Sequence, residues 1–251
     1  MEIFEPIIKP KIDFVLLAGG YAGSLQPLTE FMPKAMLPLG NKPILHHIIE
    51  DVTSHCAINK IYLLCNHFSG IIFEYVNLLI QANQVKEEVI FIKSDPELYD
   101  NGGILLEIKN TISSDFLLYY SDVLPINMNY QSFLDRHFKN KADDYLGTLS
   151  TSYQYNLETG YVYEEQGEIS SFIEKPDKDD RLKNMAIGIF NPRIFDQITS
   201  KKDNFYRDVI GRAMRNGYKF GNFIHNDAWY HFQHLSKYHY EHVLNNNKWI
   251  K

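Results

Sequence analysis

The residues with the most evident chemical potential are two adjacent glycines, Gly19 and Gly20, and a lysine, Lys34, a short distance further along the chain. The glycines follow an apolar run at residues 14–17, and a run of that length predicts a buried strand of a parallel sheet. Glycine lets the backbone turn sharply and approach a ligand closely, and successive N–H groups in such a loop form a concave site for phosphate oxygens. We therefore expect a phosphate-binding loop with a cation close to it.

Two acidic positions also stand where chemistry is expected. Asp122 follows an apolar run at residues 116–120, so it should lie at the carboxyl end of a strand, where ligands bind in open α/β sheets. An aspartate that ends a strand and caps the next turn would give the same sequence, and this alternative stays open. Glu174 belongs to a Glu-Lys-Pro segment that, without further context, would also suit a surface turn.

Two longer stretches carry a resemblance to a known family. Residues 14–45 read FVLLAGGYAGSLQPLTEFMPKAMLPLGNKPIL, which resembles the sugar-1-phosphate nucleotidyltransferase signature LAGGxGTRLxPLTxxxPKxMLPLxNKPIL. Residues 172–176 resemble a second motif of that family, F-x-E-K-P. The resemblance implies that a sugar 1-phosphate attacks the α-phosphate of a nucleoside triphosphate, giving a nucleotide-sugar and pyrophosphate. It also implies Mg²⁺ as the cofactor, with Mn²⁺ as the alternative.

The resemblance assigns roles residue by residue. Lys34 matches the signature lysine and Asp122 matches the metal-binding aspartate, so both are implied to be catalytic. Nucleotide contacts are implied for Ala18, Gly19, Gly20, Ser24, Asn101, Gly102 and Gly103. Contacts with the sugar phosphate are implied for Gly160, Glu174, Lys175 and Gly188. For residues 100–103, a plain glycine turn before a helix is an equally good interpretation.

Two positions depart from the family pattern. Ser24 stands where the family has the arginine that grips the nucleotide phosphates, and His231 stands where it has a second metal-binding aspartate. On a strand, Asp227, Trp229 and His231 would share one face, so His231 would point where the aspartate should be. Imidazole suits Zn²⁺ or Mn²⁺ better than Mg²⁺, which prefers oxygen ligands. The expected metal ligands are Asp122 and His231.

Two functional hypotheses follow from this mixture of matches and departures. The favoured one is a working sugar-1-phosphate nucleotidyltransferase with an altered grip on the triphosphate, because Lys34, Asp122 and residues 174–176 are all present. The other is a catalytically silent relative that binds a nucleotide or nucleotide-sugar as the regulatory partner of an active enzyme. A glycosyltransferase of related fold would usually show D-x-D after the fourth strand, whereas Val123 and Leu124 follow Asp122 here.

Composition narrows the class of protein. The 251 residues carry a net charge of −6 and no basic stripe with interleaved aromatics, which argues against a nucleic-acid partner. The two cysteines do not suggest a disulfide framework or a zinc site. Because no apolar N-terminal segment or long apolar stretch is evident, we expect a cytoplasmic protein without membrane contact. The family often forms homo-oligomers, so the resemblance implies either a homo-oligomer or a complex with an active paralogue.

Five histidines crowd the C-terminal part of the chain. A polar surface helix rich in histidine is the favoured interpretation, and a metal cluster is the alternative. The five are His225, His231, His234, His239 and His242.

The order of the predicted elements indicates the fold. Up to residue 122, apolar strands alternate with predicted helices, among them residues 44–55 and 104–108, which indicates βαβ units and a parallel sheet. From residue 145, alternating strands with a hairpin turn at residues 166–167 predict antiparallel pairing, and residues 192–199 are predicted to form a helix. We therefore expect an α/β fold: a Rossmann-like mixed, mainly parallel sheet flanked by helices, GT-A-like as in the family, with a sugar-binding insertion. The expected single domain spans residues 1–251, with a nucleotide-binding half at 13–125, a sugar-binding half at 145–235 and an extended arm at 1–12.

Overall fold

The structure, a computed structural model, describes residues 11–20, 22–153, 161–173, 182–244 and 249. The strands within these ranges are β1 (Ile12–Leu17), β2 (Pro38–Leu39), β3 (Lys42–Pro43), β4 (Ile58–Cys65), β5 (Glu88–Lys93), β6 (Phe116–Tyr120), β7 (Val123–Pro125), β8 (Gly147–Ser152), β9 (Tyr161–Glu165), β10 (Glu168–Ile173), β11 (Leu182–Phe190), β12 (Phe220–Ile224) and β13 (Trp229–His231). The α-helices are α1 (Ile44–His55), α2 (Ser69–Gln81), α3 (Tyr130–Ala142), α4 (Gly211–Arg215) and α5 (Leu235–His239).

Nine of the described strands form one sheet, in the order β5-β4-β1-β6-β11-β8-β12-β10-β9, with β9 also pairing with β11. Strands β5, β4, β1 and β6 are parallel to one another, and β8 is parallel to β12. Among these nine, β10 and β11 run against the other strands. The predicted mixed, mainly parallel sheet is therefore confirmed, and it continues from the first half of the chain into the second.

Strand β1 illustrates how the sheet is packed. All six of its residues are buried, and alternate side chains enter two separate cores on opposite faces of the sheet. Phe14 and Leu16 pack with residues of α1, α2 and α3, whereas Val15 and Leu17 pack with the 3₁₀ segment Gly103–Ile108. Burying one such side chain completely stabilises the fold by about 1.5–3 kcal/mol.

Parallel pairing places the ends of β1, β4 and β6 at one edge of the sheet. The Ala18 N–H, just after β1, donates to the Leu64 carbonyl at 2.9 Å, and the Ser121 N–H, just after β6, donates to the Leu17 carbonyl at 3.0 Å. The glycine loop and Asp122, which come next in the chain, are therefore brought to the same edge.

A small two-stranded sheet lies beside this edge. Strand β13 pairs antiparallel with β7, so that His231 lies opposite Val123. The Phe232 N–H also donates to the Asp122 carbonyl at 2.8 Å. This pairing joins the C-terminal part of the chain to the end of β6.

Helix α3 and strand β7 were not predicted. Asn129 precedes α3 and accepts a hydrogen bond from the Ser132 N–H at 2.9 Å, which is typical of a helix N-cap. Buried Tyr130, Phe133 and Leu134 follow at helical spacing, but polar residues dominate the segment and hide the pattern. Strand β7 has three residues, too few for alternation to show.

Several predicted boundaries also differ. Ile12 already belongs to β1, so the arm is shorter than predicted, and residues 1–10 lie outside the described part of the chain. The segments predicted as helices at residues 104–108 and 192–199 are 3₁₀ turns, Gly103–Ile108 and Pro192–Gln197. Among the described helices, none combines the length and the apolar character required to cross a bilayer.

Candidate active site

A cavity of about 490 Å³ opens at the carboxyl edge of the sheet. Its walls include residues at the ends of β1, β4 and β6 and residues that directly follow β1, β4, β5 and β6, which is where open α/β sheets bind ligands. Of the residues predicted for the site, five line this cavity: Gly19, Gly20, Lys34, Asn101 and Asp122.

The two glycines of the loop differ in their surroundings. A Cβ atom on Gly19 would lie 2.7 Å from Asn66 Oδ1 and 2.8 Å from Asn66 N, so this close approach requires glycine. A Cβ atom on Gly20 would meet nothing within 4 Å, so this residue stands in open space at the cavity. Ala18 is buried, and its N–H donates a hydrogen bond to the Leu64 carbonyl. Ala18 therefore anchors the loop to the sheet.

Lys34, Asp122 and His231 form one cluster. Lys34 Nζ lies 2.5 Å from Asp122 Oδ2, and His231 Nε2 lies 3.3 Å from the same oxygen. Burial alone would raise the pKa of Asp122, but Lys34 and His231 outweigh this effect and hold that pKa well below its ordinary value. Asp122 is therefore an ionised carboxylate at neutral pH.

The local backbone positions Lys34. Pro33 precedes the 3₁₀ turn Lys34–Met36, and the Leu37 N–H donates to the Lys34 carbonyl at 3.0 Å. Ala35 and Leu37 are buried in the core, which leaves the lysine side chain on the cavity side of the turn. The sequence-predicted lysine and aspartate are thus in contact in the folded chain.

The pairing of β13 with β7 decides where His231 lies. The rings of Trp229 and His231 stack with their centroids 6.1 Å apart, so these residues share one face of the strand, as predicted. Asp227 is exposed and precedes the strand, so it does not replace the expected aspartate. The Nδ1 atom of His231 has no hydrogen-bond partner among the described residues.

Ser24 lies outside the cavity wall. It is exposed in the 3₁₀ turn Gly23–Leu25, and its hydroxyl donates to the carbonyl of Gln233. Gln233 lines the cavity, so Ser24 supports this part of the wall. A hydroxyl at this position carries no charge, and the positive charge that the family has here is missing.

At residues 100–103, the backbone N–H groups of the two glycines are used within the fold. The N–H groups of Gly102 and Gly103 both donate to the Asp203 carbonyl, at 2.9 and 3.0 Å, so they are not available to a nucleobase. A Cβ atom on Gly103 would come within 1.8 Å of the Lys201 carbonyl oxygen, which shows that this glycine serves close packing. Asn101 lines the cavity, and its role in nucleotide binding stays a prediction.

The residues predicted for the sugar side are mostly not described. Gly160, Glu174 and Lys175 lie outside the described residues. Gly188 is described, and its predicted contact with the sugar phosphate stays a prediction. It is buried in the middle of β11, where a Cβ atom would lie 2.6 Å from the Phe190 ring, so the position serves the packing of the core.

The polar residues of the cavity that were missed in the sequence include two strand-end residues and a lysine. Asn66 and Ser94 directly follow β4 and β5, so the strand-end rule that identified Asp122 would have found them. The buried Ser94 hydroxyl has no hydrogen-bond partner among the described residues and is available to a ligand. The third, Lys202, follows no motif in the sequence.

The C-terminal histidines do not form a metal cluster. Within the described part of the chain, no group of three or more His, Cys, Asp and Glu residues could hold a metal ion by itself. His225 is buried, and its Nε2 lies 3.3 Å from the Ala228 carbonyl.

The donor set at Asp122 fits a divalent cation that is shared with a ligand. Asp122 Oδ2 and His231 Nε2 are 3.3 Å apart, close enough to bind one ion together. One carboxylate and one imidazole leave further coordination positions to oxygen atoms of a substrate phosphate, as is common for Mg²⁺. The imidazole favours Mn²⁺ over Mg²⁺ in such a set.

The chain is similar in sequence to several curated proteins. It is 29% identical over 200 residues to the bifunctional protein GlmU of Methanococcus vannielii, covering 79% of this chain and 42% of that protein. It is also 29% identical over 201 residues to the mannose-1-phosphate guanylyltransferase catalytic subunit beta of Drosophila melanogaster, covering 78% and 53%. The chain thus spans about half the length of these relatives.

Solved structures share the fold. HddC from Yersinia pseudotuberculosis superposes with a TM-score of 0.75 at 21% identity, covering 95% of this chain and 99% of that one. A UDP-glucose pyrophosphorylase complexed with UDP-glucose gives a TM-score of 0.76 at 17% identity, covering 95% and 100%. At the level of sequence, a family model described as nucleotidyl transferase matches residues 14–242. This match covers most of the chain and agrees with the signature at residues 14–45, and the chain therefore belongs to the nucleotidyl transferase family.

Proposed function

We propose that this protein transfers a nucleotidyl group from a nucleoside triphosphate to a sugar 1-phosphate, forming a nucleotide-sugar and pyrophosphate. The observation that carries the proposal is the contact of Lys34 with Asp122 in a cavity whose wall also contains Gly19 and Gly20. A phosphate-binding loop, a cation and an ionised carboxylate are the groups that such a reaction requires. Membership of the nucleotidyl transferase family supports the same reaction.

The reaction demands positioning more than covalent chemistry from the protein. An oxygen of the sugar phosphate forms a bond to the α-phosphorus, and the bond between that phosphorus and the bridging oxygen breaks, so that pyrophosphate leaves. The protein has to hold two anions in line and to neutralise the charge that develops on the phosphate oxygens.

Lys34 is the residue that supplies this neutralisation. Its ammonium is held 2.5 Å from Asp122 Oδ2, which fixes it in the cavity before substrate arrives. A bound triphosphate offers stronger negative charge than one carboxylate oxygen, so Lys34 would turn to the phosphate chain. Asp122 would then be free of its lysine partner.

Asp122 and His231 are the residues that would hold Mg²⁺, or Mn²⁺. When bound, such an ion neutralises phosphate charge and orients the triphosphate. The depressed pKa of Asp122 keeps its carboxylate ionised and ready to bind a cation throughout the neutral range. Glu174 and Lys175, on the segment after β10, are proposed to bind the sugar phosphate because they match the second family motif.

Pyrophosphate release is the test. The purified protein would be incubated with each of ATP, CTP, GTP, UTP and dTTP and with a panel of sugar 1-phosphates, in Mg²⁺ and separately in Mn²⁺. We expect turnover with one nucleotide, reduced about a hundred- to a thousandfold in Lys34→Ala and Asp122→Asn. Lys42→Ala is the matched control, because this lysine belongs to the same signature but pairs with Glu50 at 2.8 Å.

The opposite outcome would favour the silent relative. No turnover with any substrate pair, together with binding of a nucleotide-sugar by calorimetry, would contradict the enzymatic proposal. Turnover that is unaffected by Lys34→Ala would instead place the chemistry elsewhere in the protein.

A further inference from the structure

Lys202 is a second lysine of the cavity wall and has no motif to explain it. Within the described residues, Lys34 and Lys202 are the cations that line the cavity. Lys34 is paired with the Asp122 carboxylate, whereas the Lys202 ammonium donates to the neutral carbonyl of Glu97. Lys202 therefore brings to the cavity a positive charge that no described carboxylate neutralises.

The backbone that carries Lys202 is firmly attached to the cavity wall. The Asp100 N–H donates to the Lys201 carbonyl at 2.8 Å, and the Phe205 N–H donates to Asn101 Oδ1 at 2.7 Å. Together with the two glycine N–H groups on the Asp203 carbonyl, these bonds hold residues 201–205 against residues 100–103. The side chain of Lys202 thus starts from a fixed point at the rim.

Hydrogen bonds to the Asp203 side chain also hold the loop at residues 201–205. Arg212 donates two hydrogen bonds to the Asp203 carboxylate, at 3.0 and 3.2 Å, and the Thr199 N–H donates to it at 2.8 Å. Such a bidentate pair with a buried carboxylate is among the stronger polar contacts in proteins. These bonds fix the position of the loop that carries Lys202 beside the cavity.

We propose that Lys202 binds a phosphate group of the substrate and supplies positive charge that Ser24 lacks. The inference rests on the proposed function, because that reaction places several phosphate charges in the cavity. Lys34 contacts Asp122 just after β6, whereas Lys202 belongs to the loop that is hydrogen-bonded to residues 100–103. Both lysines line the same cavity, so a phosphorylated ligand bound there can contact both cations. The phosphate belongs either to the nucleotide or to the sugar 1-phosphate, and the chemistry of recognition is the same.

Calorimetry with a set of probes tests this role. The phosphorylated probes are inorganic pyrophosphate, GTP, UTP, glucose 1-phosphate and mannose 1-phosphate, and the unphosphorylated ones are guanosine and uridine. For Lys202→Ala we expect the Kd of at least one phosphorylated probe to rise about ten- to a hundredfold, since a charge-assisted contact is lost. Lys202→Arg keeps the charge and should retain most of the affinity.

Lys201→Ala is the matched control. Its ammonium lies 4.7 Å from the centre of the Tyr99 ring, and Lys201 does not line the cavity, so its removal should leave every Kd within about twofold. Loss confined to pyrophosphate and the nucleotides would assign Lys202 to the nucleotide, and loss confined to the sugar phosphates would assign it to the sugar side.

Three outcomes would overturn the proposal. They are an unchanged Kd for every phosphorylated probe in Lys202→Ala, an equal loss for nucleosides and nucleotides, and a wild-type protein that binds no phosphorylated probe. The two proposals can fail separately, because this experiment measures binding and not turnover. A protein that binds these probes without releasing pyrophosphate would contradict the proposed function, and the effect of Lys202→Ala on each Kd would still be measurable.

Discussion

His231 Nε2 lies 3.3 Å from Asp122 Oδ2, so an imidazole stands beside the carboxylate at the position where the family pattern has a second aspartate. An imidazole carries no negative charge, and this site therefore attracts a divalent cation less strongly than two carboxylates would. The departure places a nitrogen ligand instead of an oxygen ligand at the end of β13.

Restoring the carboxylate should alter metal preference. In His231→Asp we expect tighter binding of Mg²⁺ relative to Mn²⁺, because Mg²⁺ prefers oxygen ligands. The same variant should melt at a lower temperature without metal, since two buried carboxylates would face each other. Calorimetric titration with each ion measures the metal preference, and thermal melting measures the stability. His231→Asn is the control, because it removes the imidazole without adding a charge. An unchanged preference between the ions would show that residue 231 is not a ligand.

Close packing between two loops should make Gly103 intolerant of substitution. In Gly103→Ala the new Cβ would lie within 1.8 Å of the Lys201 carbonyl oxygen, and one of the two loops would have to move. We expect a loss of roughly 3 kcal/mol or more in the free energy of unfolding, measured with urea. Gly20→Ala is the matched control, because its Cβ meets nothing within 4 Å, and it should change stability by less than about 0.5 kcal/mol.

Strain in β11 should be relieved by glycine. Ala186 adopts a left-handed conformation with φ of 57°, where β11 departs from regular pairing with β8. Such a conformation costs a non-glycine residue about 1–2 kcal/mol. Glycine relieves this strain but loses more entropy on folding, which offsets part of the gain. We therefore expect Ala186→Gly to raise the free energy of unfolding by up to about 1 kcal/mol. A destabilised variant in urea unfolding would contradict this account.

The Asp203 carboxylate should make the loop of Lys202 sensitive to acid. Burial would raise the pKa of Asp203, but hydrogen bonds from Arg212 and from the Thr199 and Ser200 N–H groups outweigh burial and lower it. Its contribution to stability is therefore present above the unfolded pKa of about 4 and is lost as pH falls through the lower folded pKa. We expect Asp203→Asn to be less stable than wild type at pH 7, with the difference shrinking below about pH 4.

Chemical unfolding at pH 7 and at pH 3 measures this convergence. Asp196→Asn is a suitable control, because Asp196 is 65% exposed and pairs with Lys109 at the surface. Surface pairs of this kind contribute at most about 1 kcal/mol. A constant difference between Asp203→Asn and wild type at both pH values would show that the carboxylate charge is not what stabilises the loop.

The sequence was sufficient for the features that depend on local pattern. The run at residues 14–17, the glycines after it and the position of Asp122 after another apolar run predicted the parallel strands and the edge at which they end. Helix α1 was predicted with its observed bounds, because an amphipathic pattern of 12 residues is a strong signal. The motifs at Gly19, Gly20 and Lys34 also pointed to the correct family.

The tertiary structure decided which distant residues meet. The contact of His231 with Asp122 depends on the register of two three-residue strands, which leave no periodic signal in the sequence. The place of Lys202 at the cavity depends on hydrogen bonds between two loops far apart in the chain. Local spacing specifies strands, helices and turns. Long-range strand pairing and close packing between loops decide which charged side chains surround the cavity, and the spacing of residues along the chain does not reveal these long-range contacts.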